Sequence, residues 1–425
     1  MLLKFRFSNF RSFRTEQELS LVASKLPGSG DGLFSPPGLK EQVLPVAAIY
    51  GANASGKTAV IKAFELMANA VKFSHTQWQP DQRIPVEPFV GDDPALPSEF
   101  SVDFLLDGTR HQYGFAANSQ AFLKEWLYAY PKGKRQLWFD RADGHPMSFG
   151  AKVPGENKII EGLTRKNSLF LSAAAQNNHE ALSPVYAWFA ESESFELGHD
   201  ARGQREFRNM LDAAQYCQEE TSRSTIARLL SQADLGIAAL SLEETDLARS
   251  VKKTLESVDP SALSRIETWK EVRLLHRVGS RTIRFEPEQE SKGTLAYLAL
   301  LGPIVNLFTN GGILWVDELD ASLHPLMAVQ IIRLFGSQTS NPLSAQLIFN
   351  THDTNLLSSG DLRRDQVWFT EKDSAGSSHL YPLTDFKPRR QENLENGYLQ
   401  GRYGAIPFMH PDYLTGNAGG NGEKS

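Results

Sequence analysis

The sequence predicts an α/β fold in two lobes, with a mixed or parallel sheet core, an antiparallel β subdomain and a helical insertion. Three observations predict it. Apolar strand-like runs alternate with helical stripes near 43–71 and again over 294–350, the succession that builds a parallel sheet. Between them, residues 100–139 alternate apolar and polar with period two, broken by Asp107-Gly108, a strong hairpin signal. A glycine-bounded loop at 51–58 and an acidic strand end at Asp317-Glu318 stand far apart in sequence, which places the β hairpins and a helical block between two halves of one site. The expected division is an N-terminal lobe over 1–155, a helical insertion over 156–270, a C-terminal lobe over 271–414 and a disordered tail over 415–425.

The elements follow in order. Residues 2–7 alternate and read as a first strand, Asn-Phe-Arg-Ser-Phe follows at 9–13, and a second strand runs through 19–23. Residues 28–38, rich in Gly, Pro and Ser, read as a surface loop. The apolar run 43–50 leads into Gly-Ala-Asn-Ala-Ser-Gly-Lys-Thr at 51–58, and Val60, Phe64, Met67 and Val71 mark a helix. Phe100, Val102, Phe104 and Leu106 form one arm of a hairpin, with Tyr113 and Phe115 on the other. Trp126, Tyr128, Tyr130, Leu137 and Phe139 extend the β pattern, and its aromatic residues read as core. From 157 the spacing turns helical, at 169–190, 205–217, 221–232 and 243–257, with Pro260 capping a short helix. Strands at 272–275 and 282–285 meet near Gly279-Ser280. A helix (294–308), strand (313–316), helix (326–336) and strand (346–350) follow.

Composition sets limits. The 425 residues are 41% hydrophobic and 22% charged, ordinary for a chain with a real core. A net charge of −6 gives no global attraction to nucleic acid, and the basic clusters at Arg363-Arg364 and 387–390 read as solvated surface. The single cysteine, Cys217, excludes an intrachain disulfide and a cysteine metal cluster. The N-terminus lacks a charged start followed by an apolar signal core, and the apolar stretch 294–308 is short for a span and carries Pro303. The expectation is a cytoplasmic chain with no membrane association.

The chemistry concentrates in a few motifs. Strand, glycine-bounded loop and helix turn G-x-x-x-x-G-K-[ST] into a phosphate site. Backbone N–H groups of Gly51, Ala52, Asn53, Ala54, Ser55 and Gly56 cradle a triphosphate at a helix N-terminus. Lys57 reaches the β- and γ-phosphates, and the Thr58 hydroxyl ligates Mg²⁺. Asp317, closing an apolar strand, suits the metal-associated carboxylate, and Glu318 suits the base that orients water. Ser291 reads as the N-cap of a second open helix N-terminus, with Gly293 and Thr294. His352, in Thr-His-Asp after a strand, is placed to donate to a γ-phosphate. Together they call for ATP and Mg²⁺.

This order of motifs resembles the ABC-type ATPase heads of the structural-maintenance-of-chromosomes and RecF class: phosphate loop, Ser-Lys-Gly-Thr at 291–294, Asp317-Glu318, Leu-Asp-Ala-Ser-Leu-His-Pro at 319–325, then Thr-His-Asp at 351–353. Asn53 within the loop and Asn-Phe-Arg-Ser-Phe at 9–13 share that likeness. The Glu-Ser-x-Gly-Thr form and the ending Gly-Arg-Tyr-Gly-Ala-Ile-Pro at 401–407 look like the RloA and abortive-infection AbiL-like ATPases. Related heads occur in the overcoming-lysogenization-defect, Septu and PARIS anti-phage systems. The resemblance covers 1–150 and 270–410.

The resemblance implies ATP hydrolysis and a nucleotide sandwich. Ser291, Gly293 and Thr294 of one chain would close on ATP held by 51–58 of another, giving a homodimer or higher homo-oligomer. Asp320 would lie at the shared interface, His352 on the γ-phosphate, and Arg11 near the adenine or phosphates. A separate effector, a nuclease or toxin, and a phage protein as trigger are the implied partners. Such heads carry a Gln touching Mg²⁺ after the loop's helix; Gln77, Gln79 and Gln82 are the candidates. The signature departs from the transporter form, which disfavours a transporter. A DNA-repair ATPase of the RecF kind and an ATP-binding scaffold with little turnover are the alternatives; whether nucleic acid is bound stays open in the sequence.

Overall fold

The computed structural model describes residues 1–26, 32–151, 153–197, 212–233, 236–244, 270–286, 289–389 and 392–406. The tail over 415–425 lies outside them, as does most of the expected helix at 205–217. Strand β1 (Leu2–Ser8) pairs antiparallel with β2 (Gln17–Ser20), which starts two residues before the expected 19–23. Val22 makes only an isolated bridge, to Val43. Strand β3 (Val46–Gly51) is buried along its whole length and ends at the phosphate loop, from which α1 (Lys57–Phe73) departs.

Strands β4 (Ser98–Leu106), β5 (Thr109–Ala117), β6 (Phe122–Ala129), β7 (Gln136–Ala142) and β8 (Ser148–Phe149) complete a seven-stranded antiparallel sheet in the order β2-β1-β4-β5-β6-β7-β8. Asp107 and Gly108 join β4 to β5 with φ of 48° and 69°, the left-handed pair that a two-residue hairpin requires. Phe122, Leu127 and Ala129 face inward from β6. Trp126, Tyr128 and Tyr130, expected in the core, are instead half-buried on its outer face. There the Arg135 guanidinium lies 3.8 Å from the Tyr128 ring and Arg110 lies 4.6 Å from Tyr130. Period-two alternation identifies two faces but not which one is covered.

The second sheet has six strands, ordered β16-β15-β3-β14-β13-β9. Its members beyond β3 are β9 (Ser192–Glu196), β13 (Ile313–Asp317), β14 (Gln346–Asn350), β15 (Val367–Lys372) and β16 (Ser378–Pro382). All run parallel except β16. The central strands β3, β13 and β14 are apolar and fully buried, as a sheet covered on both faces demands. A third sheet, β10 (Ile237–Glu244), β11 (Lys270–Val278) and β12 (Arg281–Phe285), is antiparallel.

Several expectations of helix give way here. The run 169–190 is two helices, Phe170–Gln176 and Ser183–Ala190, parted where Asn178 takes a φ of 53°. β9 follows in a stretch read as helical; Ser-Glu-Ser-Phe-Glu shows no buried-strand pattern, because it pairs only at the sheet edge with β13. The start of the expected helix 243–257 is the end of β10, pairing with β11, and its remainder lies outside the described residues, with Pro260. β15 and β16 were not anticipated at all.

Helix α1 lies between the two large sheets. Its Phe64 stacks on Trp315 of β13 at 4.5 Å, and Phe5 of β1 meets both rings edge-on at 5.4 and 5.8 Å. Helix Lys292–Asn310 is long and apolar enough to cross a membrane by length and composition, yet Tyr297, Leu298, Leu300, Leu301 and Ile304 are buried in the core under the parallel sheet.

Candidate functional site

The carboxyl ends of β3, β13 and β14 deliver the phosphate loop, Asp317-Glu318 and His352 to one edge of the parallel sheet. Such an edge is where ligands bind in open α/β sheets. The loop is shaped by close approach. A Cβ on Gly51 would meet Ser55 Oγ and the carbonyl and hydroxyl of Thr370, each at 2.5 Å. Gly56 caps α1 with a φ of 111°, and a Cβ there would stand 2.9 Å from the Phe13 ring. Only glycine fits either position. Ala52, Asn53 and Ala54 form the open crest, with Ala54 at φ 61°.

Lys57 is buried, and its ammonium donates to the carbonyls of Gly51 (2.8 Å) and Ala52 (3.0 Å). Burial pulls it down to about 8, while Asp320, Glu318 and Asp317 pull the other way. The Thr58 hydroxyl donates to Asp317 Oδ1 at 3.0 Å. Adjacent ligands of an octahedral Mg²⁺ stand about 3.0 Å apart, so one hydroxyl and one carboxylate oxygen at this spacing fit that ion. Among the described residues no group of three or more His, Cys, Asp or Glu could hold a metal ion.

Glu318 is exposed and has a φ of 59°, so the chain turns sharply after Asp317. The turn is held from β14. Asn350, 1% exposed, donates through Nδ2 to Asp317 Oδ1 and accepts the Glu318 N–H on Oδ1 at 2.6 Å. Its carbonyl accepts the Leu319 N–H at 3.1 Å. Two residues on, the His352 N–H reaches both oxygens of Asp320 at 3.2 Å. The His352 imidazole is lowered first by desolvation and then by the Lys57 ammonium, against Asp320 and Glu318. The structure thus gathers 51–58, Asp317, Glu318, Asp320 and His352.

The second helix N-terminus is capped as its sequence suggests. Ser291 Oγ accepts the Thr294 N–H at 3.0 Å and lies 2.8 Å from the Thr294 hydroxyl. A Cβ on Gly293 would meet the Ser322 carbonyl at 2.9 Å, so this terminus abuts the loop that carries Asp320. Among the described residues no hydrogen bond joins Ser291 or Thr294 to the phosphate loop of the same chain. Arg11, with a φ of 51°, donates to Glu87 through both its N–H (2.6 Å) and its guanidinium (2.8 Å). Its neighbours approach the loop: Ser12 bonds Ser378, and Phe13 covers Gly56. Gln77, Gln79 and Gln82 cluster beyond the C-terminal end of α1, with the Gln79 N–H bonded to Gln82. That end is roughly 20 Å along the helix from Thr58, so none of the three stands at the Thr58 hydroxyl.

Sequence reading missed Asn350, whose only signal was a polar residue closing an apolar strand. It also missed Thr370 of β15, whose hydroxyl lies 2.7 Å from Ser55 Oγ and 3.3 Å from the Tyr50 carbonyl, tying the phosphate loop to its neighbouring strand.

Residues 46–358 match the family model described as "AAA domain, putative AbiEii toxin, Type IV TA system". No curated protein matches the chain. Among solved structures it is similar to the SMC head domain from Thermotoga maritima, at 14% identity and a TM-score of 0.41, covering 90% of this chain and 98% of that one. It is also similar to the Smc head domain with an extended coiled coil bound to the C-terminal domain of ScpA derived from Pyrococcus furiosus, at 15% identity and a TM-score of 0.40, covering 90% and 97%.

Proposed function

The chain belongs to the AAA-domain family described as "putative AbiEii toxin, Type IV TA system", and on that footing we propose that it is a Mg²⁺-dependent ATP hydrolase whose copies pair around ATP. One observation carries the reading: the phosphate loop, Asp317, Glu318 and His352 converge on one sheet edge from three strands. Loop N–H groups and Lys57 hold the triphosphate. Thr58 and Asp317 hold Mg²⁺, which neutralises phosphate charge when bound. Glu318, exposed beside them, takes a proton from the attacking water, and His352 donates to the γ-phosphate. Ser291, exposed, with Gly293 and the buried Thr294 of the same capped turn, closes on the nucleotide of a second copy, with Asp320 at the seam. Binding joins the copies and hydrolysis releases them.

The finer reading follows the resemblance to RloA and AbiL-like ATPases and the AbiEii name of the family. We assign the protein to the sensor or regulator side of a cytoplasmic abortive-infection system, acting on a separate nuclease or toxin when a phage protein appears.

The test is Glu318→Gln. Wild type should hydrolyse ATP with Mg²⁺ and the variant should lose about 100-fold or more in turnover. In size-exclusion chromatography the variant should move to a dimer with ATP and Mg²⁺ and to a monomer without them. A monomer under both conditions, with ATP bound, would sink the pairing.

A further inference from the structure

We infer that Asn350 is a positioning residue that sets Asp317 and Glu318 for the reaction and ties them to His352; the inference rests on the ATPase reading above. The side chain is spent on two partners. Its amide N–H donates to Asp317 Oδ1, the oxygen that also accepts the Thr58 hydroxyl. Its amide oxygen accepts the Glu318 N–H. Each end of the amide faces a group of opposite hydrogen-bonding character, so only one flip satisfies both.

Two consequences follow from that pairing. Two donors on Asp317 Oδ1 fix the rotation of the carboxylate, and its second oxygen accepts from neither of them. Glu318 sits at a φ of 59°, a left-handed conformation that strains a residue with a Cβ. A bond from its own N–H to a buried acceptor is what holds that conformation in place.

The same residue begins the turn that carries His352. Asn350 closes β14, its carbonyl receives the Leu319 N–H, and the His352 N–H returns to Asp320. The turn after β13 and the turn after β14 are therefore stitched together at Asn350 and at Asp320. A shift of His352 against a γ-phosphate cannot leave Glu318 where it was without breaking one of these bonds. No other amide side chain among the described residues hydrogen-bonds Asp317 or Glu318.

The experiment is a double-mutant cycle in steady-state ATP hydrolysis, using Asn350→Ala, Asn350→Ser, Glu318→Gln and Asn350→Ala with Glu318→Gln. ATP affinity is read separately by titration of a fluorescent ATP analogue, with and without Mg²⁺. Asn350→Ala should lower kcat about tenfold or more, with a smaller change in KM. In the Glu318→Gln background it should cost clearly less than in wild type, because one of the two groups it positions is already gone. Asn350→Ser, which keeps a donor but not the reach, should resemble Asn350→Ala. A role in folding alone would lower the active fraction equally in both backgrounds, so losses that multiply overturn the inference, as does wild-type kcat in Asn350→Ala. Wild type that binds ATP without turning it over would instead overturn the ATPase reading. In that case the Mg²⁺-dependent part of ATP affinity decides: it must fall in Asn350→Ala if Asn350 orients Asp317, and an unchanged value overturns the inference.

Discussion

Lys57 shows how one residue's environment sets a measurable property. In the free protein its ammonium leans on two loop carbonyls and is pulled down to about 8 by burial. A triphosphate is a far stronger partner for the charged form, so binding favours protonated Lys57. ATP affinity should therefore fall as pH rises from 7 to 9, with proton uptake on binding above pH 8. Calorimetry in buffers of different ionisation heat measures that uptake, and Lys57→Arg should remove it. The stability sign follows from the same shift. The folded chain releases this proton near 8 and the unfolded chain near 10.5, so the unfolded state holds more protons between them. Across that window, raising pH stabilises the free protein at this residue.

At the scale of elements, helix Phe170–Gln176 is anchored by a buried carboxylate rather than by its own N-cap. Leu169 caps helix Phe170–Gln176 without a side-chain bond. Glu125 of β6 supplies it instead, accepting the Phe170 N–H at 2.6 Å, the Leu171 N–H at 3.0 Å and the Tyr113 hydroxyl at 3.0 Å. Arg141 lies 3.7 Å away, and Glu125 is 0% exposed. Glu125→Ala should cost about 3–5 kcal/mol in urea unfolding, because the helix donors and a guanidinium lose their partner together. The isosteric Glu125→Gln should cost less, about 1–3 kcal/mol, its amide hydrogens facing donors. This device was invisible in the sequence: the alternation of β6 placed Glu125 on the same face as Leu127, where an apolar residue is the usual occupant.

At the scale of the molecule, the open terminus at Ser291 and the loop at Asp320 meet through Gly293 and Ser322. If a second copy completes the site, this joint shapes the face that closes on it. Gly293→Ala must displace the Ser322 carbonyl from 2.9 Å. In the Glu318→Gln background it should leave ATP binding by the single chain intact and weaken pairing about tenfold, or about 1.4 kcal/mol. Analytical ultracentrifugation with ATP reads both states, and equal self-association with and without the added methyl would count against pairing through this terminus.

The sequence by itself determined what is local. Loop 51–58 needs only a strand before it and a helix after it, whereas the close approach of Thr370 to Gly51 and of Phe13 to Gly56 comes from distant parts of the chain. The capped terminus at Ser291 and the left-handed turn at Asp107-Gly108 were legible for the same reason: their hydrogen bonds and backbone angles close over three or four residues. The tertiary structure alone decided what depends on strand order. β9, too polar to announce itself, is a strand because β13 offers it a partner. Trp126, Tyr128 and Tyr130 face outward because the helices cover the other side of β6. Asn350 became part of the site because the sheet places β14 beside β13, and no period or spacing along one chain encodes which strands will be neighbours.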